Sequence, residues 1–169
     1  MLSISFHKSF QVPVSILRPF NTYGPRQSSR AIIPTLILQA LTSDHISVGN
    51  LSPTRDLNYV SDTVNGFLSV AENKSTVGQF INIGSGTEIS IKNLAEKILS
   101  LMGKNIPITQ NSERFRPSQS EVDRLCADST KAQTLMGWKP EIDLDTGIVK
   151  TIEWFETNLD KYNFDSYVI

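Results

Sequence analysis

Apolar positions recur along this chain with two periods, helical and extended, and their alternation sketches the fold. Leu2, Phe6 and Phe10 fall at helical intervals, so residues 1–10 read as the end of a helix. Residues 12–17 follow as a short, β-branched run that predicts a strand. Pro19, Gly24 and Pro25 then punctuate a loop over residues 18–30. Pro34 suits the first turn of a helix reaching about Leu41, because its missing N–H costs nothing there. Residues 46–48 form a brief strand candidate.

Further on, Asp62 is expected to cap a helix whose buried face carries Val64, Phe67, Leu68 and Ala71. An apolar strand over residues 80–83 runs into Gly84-Ser85-Gly86. The clearest helix comes next, with Ser90 as N-cap, a buried stripe of Ile91, Leu94, Ala95, Ile98, Leu99 and Met102, and Gly103 as its stop. Residues 106–109 predict a strand, 129–136 a short helix ended by Gly137, and 144–159 a last amphipathic helix with Ile148, Ile152 and Phe155 inward. Residues 161–169 read as a tail. Interleaved strands and helices favour an α/β fold. The first strand has no sheet partner nearby in sequence, so it is expected in a sheet whose other members lie outside this chain.

Composition narrows the functions available. With 39% apolar and 20% charged residues in 169, the chain is expected to fold as a soluble globular protein. A formal charge of −1, from 16 basic and 17 acidic side chains, gives no footprint for nucleic acid. An anion site would therefore need a few placed arginines. One cysteine and two histidines support neither an internal disulfide nor a Cys/His metal cluster. His7 and His45 read as surface or packing residues. The longest apolar stretch, residues 31–41, is interrupted and well short of the roughly 20 residues of a membrane span. A cytoplasmic location is expected.

The most informative segment is Arg18-Pro19-Phe20-Asn21-Thr22-Tyr23-Gly24-Pro25-Arg26-Gln27. It leaves a strand at its C-terminal end, where open α/β sheets place ligands, and offers an amide, hydroxyls, an aromatic ring and arginines. Its order resembles the extended short-chain dehydrogenase/reductase family, in which Arg-x-x-Asn-x-Tyr-Gly-Pro ends a strand. Further segments agree: Arg30-Ala31-Ile32-Ile33-Pro34, Thr54-Arg55-Asp56-Leu57-Asn58-Tyr59-Val60-Ser61-Asp62, Phe80-Ile81-Asn82-Ile83-Gly84, and Arg116-Pro117 through Glu121-Val122 to Ala127-Asp128. Lys131-Ala132 and Leu135-Met136-Gly137-Trp138-Lys139-Pro140 close the series. Within the family, the wording is most similar to NAD-dependent 4,6-dehydratases of nucleotide-linked N-acetylhexosamines, as in legionaminic-acid-type pathways.

The resemblance implies an α/β chain divided in three: residues 1–30 as a C-terminal remnant of a Rossmann-type parallel sheet, 31–160 as the small α/β substrate-binding domain, and 161–169 as a tail. It implies that Asn21 donates to a substrate diphosphate and that Phe20 lies beside the nicotinamide of the cofactor. It places Arg30, Ile32 and Ile33 along the nucleotide pocket, Arg55 and Arg116 as a diphosphate clamp, and Glu121 against ribose hydroxyls. Guanidinium forks suit phosphate oxygens because they make charge-assisted, often bidentate bonds. Residue type alone leaves alternatives: Arg55 as a surface ion pair with Asp56, Arg114 in place of Arg116, and Phe20, Tyr23 and Trp138 as packing.

Two family motifs are missing from the sequence. Gly84-Ser85-Gly86 is the nearest approach to a dinucleotide fingerprint, but position 89 is Ile89, so it reads as a turn. No Tyr-x-x-x-Lys pair exists: Tyr23 is followed four residues on by Gln27, Tyr59 by Thr63 and Tyr162 by Ser166. By alignment of the leading helix, the family's lysine would fall a few residues before Met1. The expectation is a nucleotide-diphosphate-sugar-binding part of a 4,6-dehydratase, non-catalytic alone, with no catalytic residue of its own. NAD would serve the complete enzyme without binding tightly here, and a separate N-terminal Rossmann half is a possible partner. Family members form homodimers through a helix pair that includes the shortened first helix, which weighs against dimerisation of this chain. A 4-epimerase fragment, a non-catalytic binding module and a truncated gene product are the alternatives.

Overall fold

A computed structural model describes residues 2–115, 119 and 122–162. The first helix, α1 (Leu2–Phe10), leads into β1 (Ile16–Pro19) and β2 (Thr22–Tyr23). There follow α2 (Ile32–Thr42), β3 (Ile46–Val48), β4 (Thr54–Arg55), β5 (Asn58–Tyr59) and α3 (Val60–Glu72). Then come β6 (Phe80–Ile83), β7 (Ile89–Ser90), α4 (Ile91–Leu101), β8 (Ile108–Gln110), β9 (Arg124–Leu125), α5 (Thr130–Met136) and α6 (Leu144–Thr157).

The strands form short, mostly parallel pairs. β1 lies parallel to β6, from Ile16 opposite Phe80 to Pro19 opposite Ile83. β1 starts later than its β-branched run predicts, and its partner is encoded in this same chain, which corrects the expectation of a sheet lying wholly elsewhere. Among the described residues, β1 pairs on one side only. β2 runs parallel to β5, and β3 to β8. β4 sits between antiparallel β7 and parallel β9. These two-residue strands were invisible to periodicity, which needs a longer run.

Helix ends follow local chemistry. Ser90 Oγ accepts from the Asn93 N–H at 3.1 Å to start α4. Gly103, at φ +62, carries the chain past the end of that helix in a conformation that disfavours a Cβ. Asp143 caps α6 by accepting from the Thr146 N–H at 2.8 Å. Asp62, expected as a cap, is instead the third residue of α3, whose N-cap position is Tyr59. Its buried carboxylate accepts from the Ile142 N–H at 3.1 Å, and its carbonyl accepts from Trp138 Nε1 at 3.0 Å. The residue predicted to start a helix thus ties that helix to the segment after α5.

Two apolar cores result. The larger gathers Ile33, Leu36 and Ile37 of α2, Leu94 and Ile98 of α4, and Ile148 and Phe155 of α6 around β3. The smaller gathers Ile81 and Ile83 of β6 with Ala132 and Trp138. The expected inner face of α3 is turned outward: Val64, Phe67 and Leu68 are each at least half exposed, while Asp62, Thr63 and Gly66 face inward. Gly66 allows this, because a Cβ there would come within 2.5 Å of Ile83 Cδ1.

Candidate functional site

Strand ends bring distant loops together. β1 delivers Asn21 to the head of β5, where the Asn58 N–H donates to the Asn21 carbonyl at 3.0 Å. The Asn21 side chain donates from Nδ2 to the Asp56 carbonyl, also at 3.0 Å. β3 runs into Gly49, opposite the segment after β8, where the Asn111 N–H bonds the Val48 carbonyl at 2.8 Å. Gly49 is required by a close approach: a Cβ would lie 2.5 Å from the Arg114 carbonyl oxygen.

Between these loops lies a cleft of about 310 Å³, within the size range of small-molecule sites. Asn21, Arg30, Ile32, Ile33 and Arg55 line it, together with Arg114. Five of the eight positions implied by the resemblance therefore converge. Phe20 does not line the cleft; its N–H continues the β1–β6 ladder to the Ile83 carbonyl at 2.9 Å. Arg116 and Glu121 lie outside the described residues. Arg114, the alternative to Arg116, is held against the cleft wall, with Nη1 donating to the Ser47 carbonyl at 2.6 Å. Gln39 clamps that same strand residue, accepting from the Ser47 N–H and donating to its carbonyl. Residue type missed Gln27, Gly49 and Asn50 in the lining. Gln27 closes the segment that begins at Arg18, and Gly49 follows the C-terminal end of a parallel strand, where ligands are found.

The electrostatics of the cleft favour an anion. Arg30, Arg55 and Arg114 line it, and among the described residues no carboxylate does. Arg55 Nη1 is braced by the carbonyls of Thr54, at 2.8 Å, and Val122, at 2.7 Å. Two other cations of the motif serve packing: Arg18 lies over the Phe80 ring and Arg26 over Trp154. Tyr23 is buried, with its hydroxyl donating to the Leu144 carbonyl at 3.3 Å. Burial first, then Tyr59 and nearby aspartates, push its pKa upward, so it stays protonated and anchors the loop. His45, expected as a surface or packing residue, contacts Asp44 at the surface at 2.7 Å.

Asp56 explains the glycine turn. Its fully buried carboxylate accepts from the Ser85 N–H at 2.8 Å, Ser85 Oγ at 2.7 Å, the Gly86 N–H at 2.9 Å and the Ala127 N–H at 2.9 Å. The Gly84 N–H donates to Ser129 Oγ at 3.1 Å. A dinucleotide pyrophosphate needs such N–H groups as donors, and here protein oxygens already take them. The turn does not fit the cofactor.

The fold is α/β, and its arginine-rich cleft lies among the segments that follow its short strands. The family model for GDP-mannose 4,6 dehydratase matches residues 1–151. The chain belongs to this family of NAD-dependent nucleotide-sugar epimerases and dehydratases, of the extended short-chain dehydrogenase/reductase type. UDP-glucuronic acid decarboxylase 1 of Xenopus tropicalis is 35% identical over 97% of this chain and 38% of its own length. UDP-glucuronic acid 4-epimerase of Bacillus cereus, solved with UDP-glucuronic acid and NAD, superimposes with a TM-score of 0.82 at 30% identity, covering 92% of this chain and 49% of that one. dTDP-glucose 4,6-dehydratase of Bacillus anthracis, solved with NAD, gives 0.84 at 25% identity, over 95% and 50%. The chain thus spans half or less of the length of these relatives. No described helix is long and apolar enough to cross a membrane.

Proposed function

We propose that this chain is the nucleotide-sugar-binding part of an NAD-dependent sugar-nucleotide 4,6-dehydratase. The observation that carries this is the cleft in which Arg30, Arg55 and Arg114 meet the Asn21 amide, with no carboxylate among the described lining residues. Arginines converging from separate loops neutralise a diphosphate through charge-assisted bonds, while Ile32 and Ile33 offer an apolar wall to the nucleoside. Arg116 and Glu121 belong to the same proposed set, for the diphosphate and the ribose. Alone, the chain binds and does not turn over: the sequence has no Tyr-x-x-x-Lys pair, and the turn at residues 84–86 gives its N–H groups to Asp56 and Ser129. Phe20 would approach the cofactor only in a complete fold. There a Rossmann half, from whichever polypeptide carries it, would meet the side of β1 that has no strand partner among the described residues, and the exposed apolar residues of α1 and α3.

Titration calorimetry with UDP-N-acetylglucosamine tests the binding. Saturable binding by the wild type, lost in Arg55→Ala plus Arg116→Ala, is the expected result. An absence of binding to UDP and dTDP sugars alike would remove the proposal. NADH formation by the isolated chain would overturn its catalytic silence. A second reading, part of a UDP-sugar 4-epimerase or decarboxylase, is favoured by the names of the relatives at 30% and 35% identity. Product analysis after adding a complementing Rossmann half separates the three.

A further inference from the structure

Residues 24–27 form a β-turn whose backbone suits glycine better than the residue it holds. The Gln27 N–H closes the turn on the Gly24 carbonyl at 3.3 Å. Pro25, second in the turn, is locked at negative φ, while Arg26, third, sits at φ +67. Negative φ followed by positive φ is the type II pattern, whose third position ordinarily holds Gly or Asn. A side chain there is strained, and such strain persists where the surroundings over-determine it.

The surroundings of Arg26 supply that constraint. Its guanidinium carbon lies 5.3 Å from the centre of the Trp154 ring on α6. Arg26 does not line the cleft, whereas its neighbours Gln27 and Arg30 do. Trp154 is itself fixed: Nε1 donates to Tyr162 Oη at 3.3 Å, and its carbonyl accepts from Asn158 Nδ2 at 2.9 Å. Lys161 also approaches the ring, at 5.6 Å. From the turn, Gln27 Nε2 donates to the Thr22 carbonyl at 2.8 Å, and the Ala31 N–H reaches the Ser28 carbonyl at 3.0 Å as α2 begins. The stack therefore joins the last helix to the wall of the cleft.

We propose that Arg26 is a positioning residue: stacked on Trp154, it holds the left-handed turn that sets Gln27 and Arg30 in the cleft wall. The ligand facing that wall rests on the nucleotide-sugar reading above; the mechanical part stands apart from it. Amide hydrogen exchange of the ligand-free chain tests the mechanical part. An exposed cation–π contact implies that exchange at Gln27 and Ala31 speeds up on the order of two- to fivefold in Arg26→Ala. Arg26→Lys should restore most of the protection, and the Ile98 amide in α4 should not change. Equal exchange at Gln27 and Ala31 in Arg26→Ala and the wild type would overturn the proposal. So would uniform acceleration that includes Ile98, the sign of a merely structural role. Titration with UDP-glucose adds the ligand: Arg26→Ala should weaken binding by a similar factor with a thermal midpoint lowered by no more than about 4 °C, and equal affinity would again overturn the proposal. A wild type that ignores UDP-glucose counts against the nucleotide-sugar reading instead, and leaves the exchange result to decide the role of Arg26.

Discussion

The Asp56 carboxylate accepts from the Ser85 backbone N–H at 2.8 Å, joining the end of β4, where Arg55 sits, to the glycine turn after β6. With Ser85 Oγ and the N–H groups of Gly86 and Ala127, four donors converge on one fully buried side chain. Asn at this position would turn an NH₂ group toward backbone donors, leaving buried groups unsatisfied. Asp56→Asn is therefore expected to cost about 3 kcal/mol, the upper range for a bond to a charged group. Urea denaturation measures it as a lower midpoint at constant slope. An unchanged midpoint would mean that the carboxylate does not hold these segments together.

Gly49 sets how closely β3 approaches the Arg114 segment. A methyl group would lie 2.5 Å from the Arg114 carbonyl oxygen and 3.0 Å from its carbon, both backbone atoms that cannot swing aside. Gly49→Ala should cost about 1–3 kcal/mol by overpacking, and should move Arg114 out of register with Arg30 and Arg55. Affinity for a nucleotide sugar then falls further than in a control such as Ser100→Ala, outside the cleft lining. A Gly49→Ala chain with wild-type stability and wild-type affinity would sink the idea that this approach shapes the site.

Much of the fold was legible where one element carried its own punctuation. α4 had a cap, a stripe and a glycine stop, and each does what its residue type suggests. Part of the cleft lining was foreshadowed for a different reason: Asn21 of the motif beginning at Arg18, Arg30 at the approach to α2 and Arg55 at the end of β4 all stand in segments read as motifs, and the fold brings them together. What stayed hidden was tertiary. Nothing local says that Asp62 would bond Ile142, 80 positions away, in place of its own helix start. Nor could residue type separate Arg30 and Arg55, which line the cleft, from Arg18 and Arg26, which stack on aromatic rings.

The outward face of α3 gives a test in which an apolar residue should not matter. Periodicity placed Phe67 and Leu68 inside, yet they are 52% and 56% exposed. Replacing an exposed Phe removes little buried area, so Phe67→Ser should change the stability of the isolated chain by less than about 0.5 kcal/mol. Gly66→Ala, one residue earlier, sets a Cβ 2.5 Å from Ile83 Cδ1, so the fully buried Ile83 side chain must move aside at a cost of about 1–3 kcal/mol, offset in part by the helix propensity of alanine. If Phe67→Ser lowers the thermal midpoint as much as Gly66→Ala, α3 is rotated from the orientation seen here.

Acid should destabilise the chain through carboxylates that accept hydrogen bonds in the folded state. At Asp143, the Thr146 N–H and then the Thr146 hydroxyl hold the carboxyl below its ordinary range. At Glu88, the Thr54 hydroxyl and then Arg124 do the same. A folded-state pKa below the unfolded value makes the unfolded chain the better proton binder as pH falls. The stabilisation is thus complete above the unfolded pKa, about 4 for Asp and Glu, and is lost as pH drops through the lower folded value. The thermal midpoint should stay nearly level from about pH 7 to 5 and decline below about pH 4. Asn caps a helix about as well as Asp but does not titrate. Asp143→Asn should therefore match the wild type near neutral pH and show a shallower decline in acid. An identical acid slope in the two proteins would remove Asp143 from the groups that set it.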